Sequence, residues 1–566
     1  MSKYTIGIDF GTLSGRAVLI RISDGKQISS AEMKYPHGVM DETLPDGQLL
    51  PIDWALQHPQ DYLDVLEYTF KKVICDSAVN PSDIIGIGVD FTACTILPVK
   101  KDGTPLCFLD EFKNNRNAYV KLWKHHSAQD KADIINELAN KDNELWIKRF
   151  GGKISSEWLI PKVWQTLEEA PEVYDAADYF IEGGDWIVWQ LTGNHTRNAC
   201  TAGFKANWHK GEGYPPIEFL NKLDPRLNEL VTHKINMPIS SVGEKAGGLT
   251  ENLSRKTGLQ TGTSVAVAHA DAHVAFPGVK ITKPGVMLDI IGTSSCHLIM
   301  DEEEYLIPGI SGVVADGIIP GYYSYEAGQN GVGDTFHWFT SRMINESYIN
   351  ESKEREISIH DLLIEKAKKL EPGESGLVML EWLNGNRSTL NDSNLSGLIV
   401  GLNISTTPEE IYLAICEATA FGTKVIVDNF VDNGVKVNEF VASGGIANKN
   451  PFLMQIYADV LNMPIKIGGS TQGPAHSSAI FAAVAAGKNN GGYDSIVEAS
   501  EKMGTEYSAV YHPNPEKVQK YETLYSIYKE LYDIFGRENK IMNELKEIRL
   551  REKKAKDLTS EVKDNE

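Results

Sequence analysis

Cysteine is scarce in this sequence, and acidic residues outnumber basic ones. The 566 residues include six cysteines, none of them in a Cys-x-x-Cys pair, which argues against a disulfide framework. We therefore predict reduced thiols and a cytoplasmic location. Lys and Arg number 55 against 77 Asp and Glu, and the net charge of −22 would repel the phosphates of a nucleic acid. We predict no nucleic-acid partner.

Long apolar runs and the common nucleotide motifs are also missing. No apolar run approaches the roughly 18 residues that a membrane span needs, and Asp9 interrupts the N-terminal segment before a secretory apolar core can form. We predict no membrane partner. A Walker phosphate loop is excluded because no GxxxxGK[ST] sequence occurs, and the glycines of 328–333 have the wrong spacing for a dinucleotide fingerprint.

The chain is long enough for two domains of roughly 250 residues each. Predicted strands alternate with amphipathic helices, which is typical of an α/β fold. The strands are predicted at 4–9, 17–20, 84–90 and 265–268, and the helices at 61–75 and 130–138. Near residue 280 the pattern restarts, so we predict domains at 1–280 and 281–535. A charged tail, 536–566, is predicted to be helical and to fray into disorder.

Each predicted domain opens with a strand, an acidic residue and a Gly-Thr pair. Asp9-Phe-Gly11-Thr12 begins the first, and Asp289-Ile-Ile-Gly292-Thr293-Ser294 begins the second. This repetition suggests duplicated domains that face one another, although Gly-Thr pairs at strand ends also arise by chance. A turn with outward N–H groups and hydroxyls is suited to phosphate. Beside the first turn, Asp9 is our candidate for holding Mg²⁺ through water.

Asp271 is the candidate general base. It follows the predicted strand 265–268, and the carboxyl end of a parallel strand is where α/β proteins bind ligands. There a carboxylate can accept a proton from a substrate hydroxyl, as phosphoryl transfer requires. The neighbouring His269 and His273 also permit a metal-site interpretation. Histidines that are simply hydrogen-bonded beside a carboxylate are the interpretation we favour.

Glycine and small residues stand out in the second half. The segment 443–448, Ser-Gly-Gly-Ile-Ala-Asn, precedes a helix that should begin at Pro451, and it is either a plain loop or a close approach to a flat ring such as adenine. A capped helix is predicted from Pro408 through Phe421. The small residues of a helix at 479–486 imply very close packing or a nearby ligand.

The two Asp and Gly-Thr segments, the Ser-Gly-Gly turn and the small-residue helix follow one another along the chain. This order resembles that of the FGGY carbohydrate kinases of the actin-like ATPase superfamily. Longer stretches, found in those members that act on L-ribulose, carry the resemblance over residues 3 to about 535: Gly88-Val-Asp-Phe-Thr-Ala-Cys94, Glu326-Ala-Gly-Gln-Asn-Gly-Val-Gly-Asp334 and Glu381-Trp-Leu-Asn-Gly-Asn-Arg387. The segment 473–478, Gly-Pro-Ala-His-Ser-Ser, departs from the alanine- and glycine-rich start of the last family helix.

The resemblance implies two duplicated actin-like, ribonuclease H-like domains around a cleft. It implies ATP and Mg²⁺, phosphorylation of L-ribulose to L-ribulose 5-phosphate in L-arabinose catabolism, tolerance of other 2-ketopentoses, and a homodimer. It makes Asp271 the general base and Asp9 the magnesium carboxylate. The implied ligand contacts are Ala93, Lys205, Asp271 and Glu326 for the sugar, Gly11, Thr12, Gly292, Thr293 and Ser294 for the phosphates, and Gly444, Gly445 and Asn448 for adenosine.

Other functions stay open at this point. Within the family, a kinase for xylulose, ribitol or glycerol would differ by only a few pocket residues. Outside it, an actin-like ATPase can be a chaperone, a filament protein or a sugar sensor. A chaperone would need a peptide-binding domain where only a short charged tail follows, and a sensor could lack the base that Asp271 supplies.

Overall fold

The computed structural model describes residues 2–469 and 473–563, with side chains up to residue 552. The strands of these residues are β1 Tyr4–Phe10, β2 Ser14–Arg21, β3 Gln27–Lys34, β4 Leu56–Gln57, β5 Ile84–Phe91, β6 Ile96–Val99, β7 Val120–Lys121, β8 Tyr179–Glu182, β9 Arg197–Asn198, β10 Ile239–Ser240, β11 Lys245–Gly248, β12 Ser264–Ala266, β13 His269–Ala270, β14 Val286–Ile291, β15 Ser295–Asp301, β16 Gly312–Ala315, β17 Tyr323–Gln329, β18 Val378–Leu380, β19 Leu398–Val400, β20 Glu439–Ser443, β21 Ile465–Ile467 and β22 Ala509–Tyr511.

The α-helices are α1 Pro59–Ser77, α2 Gln129–Lys141, α3 Leu145–Lys148, α4 Leu159–Glu169, α5 Pro171–Ala176, α6 Gly183–Thr192, α7 Ala199–Ala206, α8 Ile217–Leu223, α9 Leu227–Glu229, α10 Glu251–Thr257, α11 Gly333–Arg342, α12 Glu346–Glu354, α13 Ile359–Ala367, α14 Pro408–Asp432, α15 Gly445–Lys449, α16 Pro451–Leu461, α17 Gly473–Ala486, α18 Ile496–Met503, α19 Pro515–Asp533 and α20 Ile541–Lys563.

Two large sheets have the same internal order. The first runs β3-β2-β1-β5-β12-β11, and the second runs β17-β15-β14-β20-β21-β22 with β16 added at its edge. In both, the central strand pairs antiparallel with the next strand of the chain and parallel with a later one. This repetition confirms the predicted α/β class and the duplicated fold.

The strand predicted at 265–268 is interrupted. β12 ends at Ala266, Val267 donates its N–H to the Glu244 carbonyl outside the ladder, and β13 resumes at His269. Both pieces pair in parallel with β5, so the chain still reaches Asp271 at the carboxyl end of the sheet. The strands predicted at 4–9, 17–20 and 84–90 are confirmed as β1, β2 and β5.

Helix α17 lies flat on the first sheet although it comes late in the chain. Cβ atoms built on Gly7, Gly86 and Gly88 would lie 1.8, 2.5 and 1.9 Å from backbone oxygens of this helix. Three glycines on neighbouring strands therefore allow the helix backbone to touch the sheet. This confirms the close packing predicted from the small residues, and the helix begins earlier than the predicted residue 479, at Gly473.

The helix predicted from Pro408 is confirmed and is longer than expected. Thr407 and Glu410 form the predicted capping box, and the helix continues to Asp432 because its apolar face stays buried as far as Phe430. The predicted tail is helical over α20. Within the described ranges no helix is both long and apolar enough to cross a membrane, and all six cysteines are free thiols.

Candidate active site between the two sheets

Three carboxylates lie at the carboxyl ends of neighbouring strands in the first sheet. β1 and β5 run parallel, with Asp9 directly opposite Asp90. Asp271 follows β13, and its N–H donates to the Phe91 carbonyl at the end of β5 at 3.0 Å. The sheet register therefore gathers Asp9, Asp90 and Asp271 at one edge, as the crevice rule for parallel strands predicts.

The three carboxyl groups differ in exposure and in proton affinity. Asp90 is fully buried, whereas Asp9 and Asp271 are partly accessible. Burial and the neighbouring charge of Asp9 raise the pKa of Asp90 well above its usual range. Burial also raises the pKa of Asp9, although the neighbouring Asp90 carboxyl opposes this. The same two causes that act on Asp90, burial and the Asp9 charge, raise the pKa of Asp271 to about 7. Without a ligand, the group does not hold three negative charges at neutral pH.

This set of oxygens fits a hard divalent cation. One carboxylate oxygen of Asp90 is buried without a hydrogen-bond partner, and its other oxygen accepts from the Ser478 hydroxyl of α17 at 2.5 Å. A cation near Asp9 would relieve the repulsion that raises these pKa values. The residues are therefore compatible with Mg²⁺, which prefers oxygen ligands and usually keeps several waters.

The metal-site interpretation of His269 and His273 finds no support. His269 contacts the Ile318 carbonyl, and His273 contacts Glu326. In the described part of the chain, only His37, His58 and Asp61 bring three possible ligand atoms within 4.8 Å of one another. The two imidazole rings of that group stack 4.4 Å apart and nearly parallel, so their lone pairs do not converge on one point.

Two predicted sugar contacts pair with each other across the two halves. Lys205, at the end of α7, donates to both Glu326 carboxylate oxygens on β17, at 3.0 and 2.8 Å. Burial alone would raise the pKa of Glu326, but Lys205 and its other partners lower it well below its usual range. The carboxylate is therefore ionised. Ala93 lies just after β5 and packs against an apolar cluster that includes Phe204 of the same helix as Lys205.

Glu326 has two further partners that the sequence analysis did not assign. His273 lies 3.2 Å from one carboxylate oxygen, and Arg387 contacts the other. Glu326 is also predicted to accept hydrogen bonds from the sugar, and its oxygens lie among these protein donors. Both Lys205 and Glu326 act on the pKa of Asp271, so this cluster lies within electrostatic reach of the candidate base.

The predicted nucleotide residues of the second half lie side by side. β14 and β20 are parallel neighbours, so the turns that follow Ile291 and Ser443 emerge at the same edge. Gly444 has φ +94°, and a Cβ there would lie 2.5 Å from the Ile291 carbonyl oxygen. Only glycine fits this contact. Thr293, Ser294, Gly445 and Asn448 are exposed in these turns, and Gly292 and Gly444 are partly accessible.

Gly333 belongs to the segment whose glycine spacing excluded a dinucleotide motif, and it supports the second phosphate turn. The N–H groups of Gly333 and Val332 donate to the carbonyls of Gly292 and Thr293, both at 3.0 Å. A Cβ at Gly333 would lie 2.6 Å from the Gly292 oxygen, so glycine is needed for the approach. Helix α11 thus holds the Gly292–Ser294 turn in place.

The Gly11–Thr12 turn is held by different contacts. The Gly11 N–H donates to the Ser14 carbonyl at 3.0 Å, and the Thr12 hydroxyl accepts from the Trp123 indole at 3.1 Å. Among the described residues, no hydrogen bond or ion pair joins this turn to the Gly292–Ser294 turn. The two turns stand on separate sheets.

Sequence reasoning missed Asp90, His273, Arg387 and Ser478 as members of the site. Asp90 ends a buried strand just as Asp9 does, so the same signal could have identified it. Arg387 lies in one of the quoted family stretches, and Ser478 lies in the segment noted as a departure. A separate cavity bordered by Trp146, Arg149, Asn207 and His209 contains none of the predicted site residues.

A duplicated α/β fold with carboxylates at one sheet edge and glycine turns at the other is the architecture of an actin-like phosphotransferase. Family models for the N-terminal and C-terminal domains of the FGGY carbohydrate kinases match residues 4–278 and 287–486. The chain belongs to this family, and it is a carbohydrate kinase.

Full-length relatives agree with this assignment. The chain is 53% identical to a ribulokinase of Bacillus licheniformis over 538 residues, covering 95% of this chain and 98% of the relative. It is 52% identical to a ribulokinase of Geobacillus thermodenitrificans, covering 96% and 97%. The solved xylulose kinase of Rhodospirillum rubrum has the same fold, with a TM-score of 0.78, 21% identity and coverage of 94% and 99%.

Proposed function

We propose that this kinase transfers the γ-phosphoryl group of ATP to L-ribulose and produces L-ribulose 5-phosphate. The substrate follows from the full-length similarity to ribulokinases. The observation that carries the chemistry is Asp271, a partly accessible carboxylate with a pKa of about 7 that lies within electrostatic reach of Asp9 and of the Lys205–Glu326 pair.

Asp271 acts as the general base in this proposal. Its carboxylate accepts the proton of the C5 hydroxyl as that oxygen attacks the γ-phosphorus, and the bond to the ADP oxygen breaks. A pKa near 7 places the group close to the pH at which base and conjugate acid are both populated, which suits general-base catalysis. Activity should therefore fall as Asp271 becomes protonated at acidic pH, and a cation bound near Asp9 should move that fall below pH 7 because it relieves the repulsion that raises the pKa of Asp271.

The remaining residues bind and orient the substrates. Lys205, Ala93, Asp271 and Glu326 form the sugar side. Gly11, Thr12, Gly292, Thr293 and Ser294 form the phosphate turns, in which Thr12, Thr293 and Ser294 offer hydroxyls to the phosphates.

Gly444, Gly445 and Asn448 form the adenosine side in this proposal. Asp9 holds the divalent cation, which we propose to be Mg²⁺. When bound, the ion supplies charge neutralisation at the phosphate oxygens. Alignment of the two substrates can contribute roughly 7–11 kcal/mol, more than the base.

A coupled ADP-release assay over several sugars tests the substrate. L-Ribulose, D-ribulose, both xylulose epimers, ribitol and glycerol are compared at equal concentration, with a no-sugar control. We expect L-ribulose to give the highest kcat/KM. A higher value for xylulose, ribitol or glycerol would replace the substrate, and no stimulation by any sugar would contradict the proposal.

Asp271→Asn tests the base. We expect kcat to fall about 10²–10⁴-fold with the affinity for ATP unchanged. Asp459→Asn is a matched control, because Asp459 is also buried with a raised pKa, and within the described residues its hydrogen bonds are to Gln455 and the Asn514 N–H. Wild-type turnover in the Asp271 variant would refute the assignment.

Two further parts of the proposal come from the family resemblance. We propose that the enzyme works in the cytoplasm, consistent with its six free thiols, and that it forms a homodimer. Light scattering coupled to size-exclusion chromatography measures the second directly. A mass near the 62.6 kDa of one chain would contradict the dimer.

A further inference from the structure

The loop that carries Ala93 has an uncommon backbone conformation. It joins β5 to β6 over residues 92–95, and within it Cys94 has φ +61°. That left-handed conformation is strained for a residue other than glycine, so contacts from the surrounding structure must hold it. Ala93 is partly accessible, whereas Cys94 and Thr95 are buried. The position of Ala93 therefore depends on what holds the buried part of the loop.

A buried lysine holds the carbonyl of the peptide unit between Cys94 and Thr95. Lys162 of α4 is 1% exposed, and its Nζ donates to the Cys94 carbonyl at 2.7 Å. Its other acceptors are the carbonyls of Leu122 at 2.7 Å and Lys121 at 3.4 Å. An ammonium has three N–H donors, so main-chain carbonyls account for all of them. Burial lowers the pKa of Lys162 to about 8, which leaves it mainly protonated at neutral pH.

A buried carboxyl group holds the N–H of the same peptide unit. Glu182, the last residue of β8, is 2% exposed and accepts from the Thr95 N–H at 3.0 Å. The C=O and N–H of a planar trans peptide point in opposite directions, so Lys162 and Glu182 hold this unit from two sides and fix its plane. We call these two residues the peptide clamp. Burying two titratable groups costs free energy that apolar packing residues would not.

The clamped loop lies beside the predicted sugar contacts. Burial raises the pKa of the Cys94 thiol, and the nearby charge of Lys205 opposes this, so the loop is within electrostatic reach of Lys205. Among the described residues, the N–H groups of Ala93 and Cys94 donate to no protein acceptor. A shift of the loop would therefore change the surface that a molecule beside Lys205 meets.

We infer that Lys162 and Glu182 are positioning residues of the sugar site. The peptide clamp fixes the loop, and the loop in turn keeps Ala93 in its place. Neither residue needs to touch the sugar, because both are buried and act through the backbone. This inference rests on the proposed function, since it concerns the site of the same ketopentose.

Lys162→Met removes the donors and keeps a side chain of similar length. We expect the sugar KM to rise roughly 5- to 100-fold, because the Cys94 carbonyl loses its partner and the loop can leave its strained conformation. The kcat should fall by a smaller factor, since Asp271 is not held by this lysine, and the KM for ATP should be unchanged. Initial rates over a range of sugar and ATP concentrations measure this split.

Lys234→Met is the matched control. Lys234 is also a buried lysine, 3% exposed, and its Nζ donates to the main-chain carbonyls of Tyr174 at 3.0 Å and Ala177 at 2.7 Å. These carbonyls lie at the end of α5, which contributes none of the predicted site residues. We expect both lysine variants to lower the melting temperature, but only Lys162→Met to raise the sugar KM. A similar rise in both would reflect a general loss of stability and would overturn the inference.

Glu182→Met and Glu182→Gln test the other side of the clamp. Met offers no acceptor to the Thr95 N–H, whereas the amide oxygen of Gln can still accept. We expect the sugar KM to rise in the Met variant and to return to within about threefold of wild type in the Gln variant. Because Lys162 and Glu182 hold one peptide unit, the double Met variant should raise the sugar KM by less than the product of the single effects. Effects that multiply would contradict a shared clamp.

The remaining outcomes separate this inference from the proposed function. A sugar KM within twofold of wild type in the folded Lys162→Met and Glu182→Met variants would overturn the inference, and so would complete loss of folding in both, which would assign the two residues to the fold as a whole. If the wild-type enzyme prefers another sugar, the substrate assignment fails and the same variants are measured with that sugar. If wild type uses L-ribulose and the variants keep its KM, the proposed function stands and this inference falls.

Discussion

The two Gly-Thr turns occupy equivalent places in two sheets of the same order, yet their acidic residues point to opposite sides. Asp9 stands two residues before Gly11, whereas Asp289 stands three residues before Gly292. Side chains alternate along a strand, so one extra residue reverses the face. Asp9 is partly accessible beside Asp271, while Asp289 is fully buried and Ile290 takes the accessible position.

Burial changes the chemistry of Asp289. Its carboxyl contacts the Ser295 hydroxyl and lies 3.4 Å from His297. Burial raises the pKa of Asp289 to about 7 and lowers the pKa of His297 to about 3, so below pH 7 their contact joins neutral groups rather than ions. The repeated sequence pattern therefore marks a candidate metal ligand in one half and a buried packing residue in the other.

The turns after β5 and β20 also occupy equivalent places in the two sheets and contain different residues. After β5 come Thr92 and Ala93, on the sugar side of the proposed site. After β20 come Gly444 and Gly445, on the adenosine side. The duplicated fold provides two equivalent edges, and the residues at each edge decide which substrate it suits.

Paired substitutions of the two aspartates should show the largest difference. We expect Asp9→Asn to lower kcat/KM by about 10³-fold, because a metal ion contributes several kcal/mol to stabilising the transferred phosphoryl group. Asp289→Asn should keep activity within about threefold, since Asn can still accept from Ser295. The measurement is initial rate against Mg²⁺ concentration. Equal losses in the two variants would mean that both aspartates serve the metal.

A smaller difference is expected between Gly444→Ala and Gly445→Ala. The first forces a Cβ to 2.5 Å from the Ile291 oxygen at φ +94°, whereas no atom lies within 4 Å of the second. Backbone strain of about 1–3 kcal/mol should raise the KM for ATP roughly 5- to 100-fold in the Gly444 variant.

The Gly445 variant reports on the adenosine contact itself. Its fold should be unchanged, so a several-fold rise in the KM for ATP would come from the added methyl group meeting the nucleotide. In both variants the sugar KM should stay constant. An unchanged KM for ATP in the Gly445 variant would remove this residue from the nucleotide site.

The smallest effect concerns stability and pH. The folded pKa of Asp289, about 7, lies above the unfolded value of about 3.9. The folded state binds the proton more tightly, so this residue's stabilisation is present below about pH 4 and is lost as the pH rises through 7. Asp289→Asn should remove that dependence, and its melting temperature relative to wild type should rise by about 3–6 °C between pH 5 and 7.5.

Differential scanning fluorimetry at several pH values measures this shift. Glu42→Gln, at an exposed carboxylate, is the control and should show no such trend. A constant difference between Asp289→Asn and wild type over this pH range would mean that Asp289 is ionised throughout.

Much of the fold could be predicted from local signals. The capping residues Thr407, Pro408 and Glu410 predicted the start of α14, because a helix N-terminus depends on residues next to one another in the chain. Its end at Asp432 was not predicted, since burial against other helices extended it. For the same reason the small residues of α17 indicated close packing but not its partner, which is three glycines about 390 to 470 positions earlier.

The residues of the candidate site show the same difference between local signals and long-range contacts. Asp9, Asp271 and the glycine turns were predicted because strand ends and turns are local features. Arg387, His273 and Ser478 were not assigned to it, because each acts through a residue far away in sequence, Glu326 or Asp90.

The amino-acid sequence by itself determined the two-fold repetition, the strand ends that carry carboxylates and glycines, and the family to which the chain belongs. These depend on side-chain period, turn chemistry and motif order, which are written in neighbouring residues. Only the tertiary structure decided which face each aspartate occupies, which side chains surround Glu326 and which helix covers the first sheet. Those outcomes depend on strand register and on contacts between distant segments, where a shift of one residue exchanges a buried face for an accessible one.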